Sequence, residues 1–427
     1  MKDNIQQARE RKLSYSLIAL CWIVYTCAYI GKLSYNANIS QLEAAFGVTH
    51  SQSGLVGTMF FFAYGVGQVF NGLMCKKYNI KYVIFSSLAI SSLMNLAMNL
   101  IPDFAFAKYI WLINGAATSF LWTSLIRLLS ETLGKIYLST AIVVMGTTIA
   151  TGTVLVYAMS SLFVAISSYK VTFFVACGVL AAVAIAWMSL FDRLSKPLYA
   201  ARQATVGAEN EGVQPELHPK KKLSRELWFF FGAIAIFAVA NNFIKYGLTS
   251  WTPSILNEMY ATPGWLSILL TLALPVVAIP GVALATAMHK RIDSYVLICT
   301  LLYAVSTVLI CAVILLLSYE ALTITVVAFA LISCFMGSIN SVITSMIPLR
   351  MRDRVDSGKT AGLLNGFCYI GSTLSTYGLG HIAENNGWSA VMYTLLALCG
   401  GAALLGAIHC SITKLTAQKD IIGGKNE

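Results

Sequence analysis

From Leu13 to Ile30 the chain runs almost without charge, and it then places a lysine, Lys32, before the helical apolar spacing has ended. A second apolar run begins at Trp228 and meets Lys245 inside the stretch from Asn241 to Pro253. Runs of about 20 apolar residues, with no strand-like alternation, recur along the whole chain, and that length suits a helix crossing a bilayer. Charged residues make up only 11% of the sequence and apolar ones 57%, against about 25% charged in a soluble domain. So much apolar surface does not fit one water-soluble core. The expected fold class is an all-α membrane protein. No small-residue cleavage site ends the first run, so it reads as a span and not as a signal peptide.

Twelve spans are expected, at residues 14–36, 52–74, 82–101, 105–127, 137–165, 171–191, 227–252, 264–288, 294–317, 321–346, 359–381 and 388–412. Of the 29 Lys and Arg residues, only Lys108 and Lys170 fall in alternate loops on one side, and Lys32 and Lys245 fall inside spans. The remainder lie on the other side with both termini. This is the positive-inside pattern. It places both termini in the cytoplasm of a plasma membrane, as in a bacterial inner membrane. It also explains the net charge of +11 without nucleic acid.

The segment 192–226 breaks the apolar pattern and reads as a cytoplasmic linker, with Ala204 to Pro219 unstructured. The expected domains are therefore an N-terminal six-helix bundle at 1–191 and a C-terminal one at 227–427 with a short tail. The halves look like copies. Lys32 to Lys76 and Lys245 to His289 are both 44 residues apart, and Gly134-Lys135 before span five matches Gly358-Lys359 before span eleven. Twelve transmembrane helices in two pseudo-symmetric six-helix bundles follow, with a substrate site near the midplane where the repeats meet.

Polar rows at helical spacing should face the protein interior, because lipid would make them costly. Span one offers Tyr25, Tyr29 and Lys32, span two Tyr64 and Gln68, span seven Asn241 and Lys245, and span eleven Tyr369. For single Asn, Ser and Thr residues, interhelical hydrogen bonding is the plainer use. Either lysine alone could also snorkel to the outer interface. Against that, helical apolar spacing continues beyond both, to Leu42 and to Leu256. No Asp or Glu falls in the interior of any span; Glu43, Asp103, Glu258, Glu320 and Glu384 sit in outer loops or at span ends. Two buried cations without a carboxylate call for an anionic ligand, held from two sides of a central cavity. The cysteines and histidines show no ligand or disulfide spacing, so no metal or cofactor is expected.

Ile244-Lys245-Tyr246-Gly247-Leu248-x-x-Trp251-Thr252-Pro253 resembles the span-seven signature of the organophosphate:phosphate antiporters of the major facilitator superfamily. Tyr29-x-x-Lys32-x-x-Tyr35 is similar to their span-one basic motif. Ala63-Tyr64-Gly65, Trp122 with Arg127, Ile279-Pro280-Gly281, Tyr369-Ile370-Gly371 and Gly387-Trp388 fit other spans. The resemblance implies the major facilitator fold and exchange of a glycerol or hexose phosphate for inorganic phosphate. The chain departs from the family in carrying Lys32 and Lys245 where arginine is usual, and Gln68 where some members have lysine. The span-five histidine is absent, with Thr147 and Thr148 in its neighbourhood, and a span-eight acid is replaced by Pro275.

The expected function is thus secondary transport of a small organic anion, most simply a phosphate ester against phosphate, and not enzyme chemistry. Lys32, Lys245, Tyr25, Tyr29, Tyr64, Trp122, Tyr246, Tyr369, Asn241 and Gln68 are the expected substrate-binding residues. Partners are the anion and membrane lipid, and one chain supplies both halves, so a monomer should suffice. A carboxylate carrier on the same fold, proton-coupled or not, is the alternative. A receptor for sugar phosphates built on a transporter scaffold is the alternative of another class.

Overall fold

The computed structural model describes residues 2–74, 77–209, 225–316, 321–350 and 357–423. Its described residues are helical almost throughout. The first half holds α1 (Lys2–Ala37), α2 (Ile39–Phe46), α3 (His50–Met74), α4 (Ile80–Leu100), α5 (Ala107–Thr118), α6 (Leu121–Thr132), α7 (Lys135–Ile166) and α8 (Tyr169–Glu209). The second holds α9 (Arg225–Tyr260), α10 (Gly264–Thr271), α11 (Ala273–Ala278), α12 (Gly281–His289), α13 (Tyr295–Leu316), α14 (Leu322–Ser341), α15 (Ile347–Arg350) and α16 (Ser357–Gly423).

Among the described residues, eleven helical stretches are long and apolar enough to cross a membrane, the last running from Gly362 to Ile412. Its 51 residues would extend about 75 Å, more than twice the apolar thickness of a bilayer. Gly387 breaks it, with φ 76° and ψ 170°, so α16 is two spans joined at a glycine. That makes twelve. The fourth span is divided between α5 and α6, the eighth among α10, α11 and α12, and Val342–Met346 forms a π turn after α14.

The segment expected to be a linker is partly span. α8 continues as helix through Pro197 to Glu209, so Ala204 to Glu209 is helical where an unstructured chain was expected. Residues 210–224 lie outside the described residues. Polar partners explain the continuation. Lys81 pairs with Asp192 at 2.6 Å, and the Tyr199 hydroxyl donates to Glu131, which also pairs with Arg127.

The chain forms two compact units. The first is Met1–Val48, Met59–His218 and Gly264–Leu269; the second is Thr49–Thr58, Pro219–Pro263 and Leu270–Glu427. In the first, α1 packs on α7 and α8, and α4 on α8 and α5. In the second, α9 packs on α16 and α14, and α13 on α16. The opening turns of α3 belong to the second unit: the Thr58 hydroxyl donates to the Thr373 carbonyl, and His50 lies 3.3 Å from Glu258.

The internal packing of the units repeats. In the first, a Cβ on Gly152 of α7 would strike the Thr26 carbonyl and Tyr29; in the second, a Cβ on Gly371 of α16 would strike the Val239 carbonyl and the Phe243 backbone nitrogen. Thr26 stands six residues before Lys32, and Val239 six before Lys245. Each lysine-bearing helix is therefore gripped at the same place by a glycine of the same kind of span. Glycine there lets two helix backbones touch, the usual basis of close helix packing in membranes.

Replacing Gly371 with Ala should cost about 1–3 kcal/mol through overpacking against fixed backbone, read as a melting midpoint several degrees lower in detergent. Gly178→Ala, at an exposed helical position with open space around it, should leave the midpoint unchanged or raise it, because Ala is the better helix former. Equal effects at the two positions would contradict the packing described.

Candidate functional site

The helices carrying the two lysines are long, and the lysines sit well inside them. α1 continues five residues past Lys32, and α2 follows after Asn38. α9 continues fifteen residues past Lys245, straight through Pro253. Neither span therefore ends at its lysine, and Lys32 is only 6% exposed. Lys245 is partly accessible.

In the first unit, Lys32 faces aromatic rings. Its Nζ lies 4.4 Å from the centre of the Tyr29 ring and 4.0 Å from that of Tyr64. Tyr29 belongs to the preceding turn of α1, which puts its ring beside the lysine stem. Tyr64 comes from α3. The aromatic surface extends to Tyr25, edge-on to Tyr29 at 5.4 Å, and to Trp122 of α6, 4.9 Å from Tyr25. All six residues expected at the site in this unit are thus in one connected cluster, with Gln68 as the sixth.

Gln68 joins the cluster through Tyr64. Its amide nitrogen donates to the Tyr64 hydroxyl at 3.1 Å and to the Ser119 carbonyl at 2.9 Å, and its oxygen accepts from Thr123. It holds the Tyr64 ring in place.

In the second unit, Lys245 Nζ lies 5.6 Å from the Tyr246 ring centre, and the Cys368 thiol of α16 is an electrostatic neighbour. Tyr369 follows Cys368 and is half-buried. Asn241, one turn before Lys245, is fully buried; its amide donates to the Asn242 side chain, and its own oxygen has no partner. Such an oxygen costs about 1–3 kcal/mol when it stays unsatisfied, so Asn241 is suited to accept a hydrogen bond from a ligand. Cys368 was not foreseen, because a cysteine in an apolar span reads as filler.

Among the described residues, neither lysine makes an ion pair. A lysine at mid-membrane costs about 2.5–3.5 kcal/mol on insertion scales. Each aromatic face returns about 0.5–2 kcal/mol, so Tyr29 and Tyr64 offset a good part of that for Lys32. The carboxylates stay near helix ends. Glu258 is in the last turn of α9, about 20 Å along the helix from Lys245, and takes hydrogen bonds from Trp388 and His50. Every cysteine among the described residues is free.

The chemistry available is that of buried positive charge bordered by aromatic and hydroxyl groups. The Major Facilitator Superfamily model matches residues 21–375. Two relatives are the membrane sensor protein UhpC of Escherichia coli strain K12, 24% identical over 115 residues, and the probable hexose phosphate transport protein of Chlamydia pneumoniae, 25% identical over 133 residues. The matches span 27% and 30% of this chain, and 26% and 29% of the relatives' own length. Among solved structures, the inward-facing, occupied form of a bacterial homolog of the human lysosomal transporter Spinster superposes with a TM-score of 0.69 at 14% identity, covering 95% of this chain and 97% of that one. A D-xylose–proton symporter gives 0.67 at 13% identity, covering 92% and 97%. The two structural likenesses extend over nearly the whole chain. The chain belongs to the Major Facilitator Superfamily, and it is a multi-pass membrane protein.

Proposed function

We propose that this transporter carries a small organic anion, most simply a phosphate ester exchanged for inorganic phosphate, by alternating access. The observation that carries the reading is Lys32, buried against two tyrosine rings and in no ion pair among the described residues. Lys245 stands at the matching place of the repeat, again in no ion pair among them. Each supplies one positive charge to the anion. Tyr25, Tyr29, Tyr64, Trp122, Tyr246 and Tyr369 shape the site and donate hydroxyl or indole hydrogen bonds. Asn241 accepts a substrate hydroxyl, and Gln68 orients Tyr64.

Exchange follows from the charge balance. With no anion bound, the lysines are uncompensated in a low-dielectric region, which makes reorientation of the empty carrier unfavourable. With the anion bound they are neutralised. The name of the Chlamydia pneumoniae relative, a probable hexose phosphate transport protein, supports a sugar phosphate as the ester. On this reading the protein lies in a bacterial inner membrane with both termini cytoplasmic, its bundles are 1–191 and 227–427 with a linker at 192–226, and it works as a monomer.

A second reading is supported by the matched membrane sensor proteins: the same site binds a sugar phosphate and reports it to a signalling partner. Flux separates the two. In proteoliposomes loaded with phosphate, labelled hexose phosphate should enter, and it should not enter liposomes lacking internal anion. Tight binding without flux supports the sensor. Competition by dicarboxylates in place of phosphate supports a carboxylate carrier.

Lys32→Gln and Lys245→Gln should each weaken binding of the transported anion about 10- to 100-fold, the worth of one charge-assisted hydrogen bond, with folding retained in a thermal-shift control. Wild-type affinity in both variants would remove these residues from the site. Tyr64→Phe keeps the ring over Lys32 and should cost less than tenfold. Tyr64→Leu removes one of the two faces and should cost more than Tyr64→Phe in the same transport assay.

A further inference from the structure

Behind Lys32, on the side of α1 turned away from the tyrosines, a buried polar cluster closes on one backbone atom. The Gly31 carbonyl accepts from the side-chain amides of Asn95 on α4 and Asn114 on α5, both at 3.1 Å. The cluster is internally complete. Ser34 donates to the Asn95 oxygen at 2.6 Å, Ser91 donates to the Asn114 oxygen at 2.7 Å, and the Asn95 amide also reaches the Ser91 carbonyl. Ser34, Ser91, Asn95 and Asn114 are all fully buried.

Scattered hydrogen bonds between helices need no special explanation in a membrane protein. Convergence of two helices on a single carbonyl does. A helical carbonyl needs only the amide four residues on, and side-chain donors that enter this ladder fix or bend the helix locally. The position is also closely surrounded by side chains. A Cβ at residue 31 would come within 2.5 Å of Leu180, 3.0 Å of the Ser91 hydroxyl and 3.1 Å of the Asn95 amide. One turn on, the Ser34 carbonyl is taken by the Asn38 amide at 2.8 Å, where α1 gives way to α2. The turn that carries Lys32 is thus tied down on its rear face over its whole length.

In the second unit the residue before Lys245 is Ile244, which is buried. There the Thr249 hydroxyl donates to the Lys245 carbonyl at 2.8 Å, and the Asn242 amide donates to Ser372 of α16 at 3.4 Å.

The geometry points to Asn95 and Asn114 as positioning residues for Lys32. They set the rotation and depth of the α1 turn, so that a flexible lysine presents its charge at one place, as a planar arginine fork would by its own stiffness. Lys32 is then a fixed charge. This rests on the reading that Lys32 meets the anion.

The test uses the full-length protein with Asn95→Leu and Asn114→Leu, which keep the branched side-chain skeleton and lose the donor. Two readouts are taken. Backbone hydrogen exchange in the peptide covering residues 32–38 should rise about tenfold, with α4 and α5 little changed. The dissociation constant for inorganic phosphate should rise about 5- to 20-fold, but not further when the same substitutions are made in a Lys32→Gln background. Ser91→Ala loosens Asn114 without removing it and should move both readouts the same way by a smaller factor, covering the case in which the leucine variants fail to fold. Exchange that rises evenly through the first unit, or phosphate weakening of the same size in the Lys32→Gln background, would overturn the positioning role. A wild-type protein that binds no phosphate would count against the proposed function, while the exchange readout would still decide whether the asparagines fix the turn.

Discussion

An ammonium group inside a membrane must be compensated by something, and among the described residues neither lysine has an acid paired with it. Lys32 has the faces of Tyr29 and Tyr64, and Lys245 has the ring of Tyr246. Aromatic faces stabilise a cation without removing its charge from the balance. A carboxylate would neutralise it and close the site to anions. The arrangement keeps two positive charges in the protein and leaves them available, which is the property an anion carrier requires. The glycines of α7 and α16 serve the same end. By letting other spans press on the lysine helices at Thr26 and Val239, they fix the backbones from which the charges project.

Much of this was readable from residue order alone. The spans are legible because apolar runs near 20 residues have few other solutions, and Lys32 and Lys245 stand out because a charge there is expensive. The aromatic cluster around Lys32 was legible too, since Tyr25, Tyr29 and Lys32 share a helix face. The breaks within spans four and eight were not, because they depend on packing against neighbours and not on local composition. The helical continuation to Glu209 was missed for a related reason: its hydrogen bonds and ion pairs, to Lys81 and Glu131, lie far away in sequence. Ala204 to Glu209, polar and small, looks like linker until those partners of the preceding turns are known.

Gln68 and the asparagines show where pattern reading runs out. Gln68 falls on the face of span two that carries Tyr64, so it reads as a ligand residue. Its amide also hydrogen-bonds the Tyr64 hydroxyl, the Ser119 carbonyl and Thr123, partners that a sequence does not show. Asn95 and Asn114 read as ordinary interhelical links, because their shared target is a carbonyl on another helix and backbone atoms leave no trace in a sequence. The visible hint was Gly31 beside Lys32: a glycine next to a buried charge can mean that something approaches the backbone closely.

The substitution of lysine for arginine at both basic positions has a structural consequence that is separate from selectivity. Arginine brings its own geometry to a phosphate, because its donors are held in a plane. Lysine brings a point charge on a flexible stem, and its placement must come from its surroundings. In the first unit those surroundings are elaborate: two rings in front, two asparagines behind, and a glutamine steadying one of the rings. In the second, the Tyr246 ring and the Thr249 hydroxyl on the lysine's own carbonyl are the neighbours. On the proposed reading, a lysine held in one place recognises the phosphate group that inorganic phosphate and its esters share, and its placement supplies the geometry that an arginine fork would bring by itself.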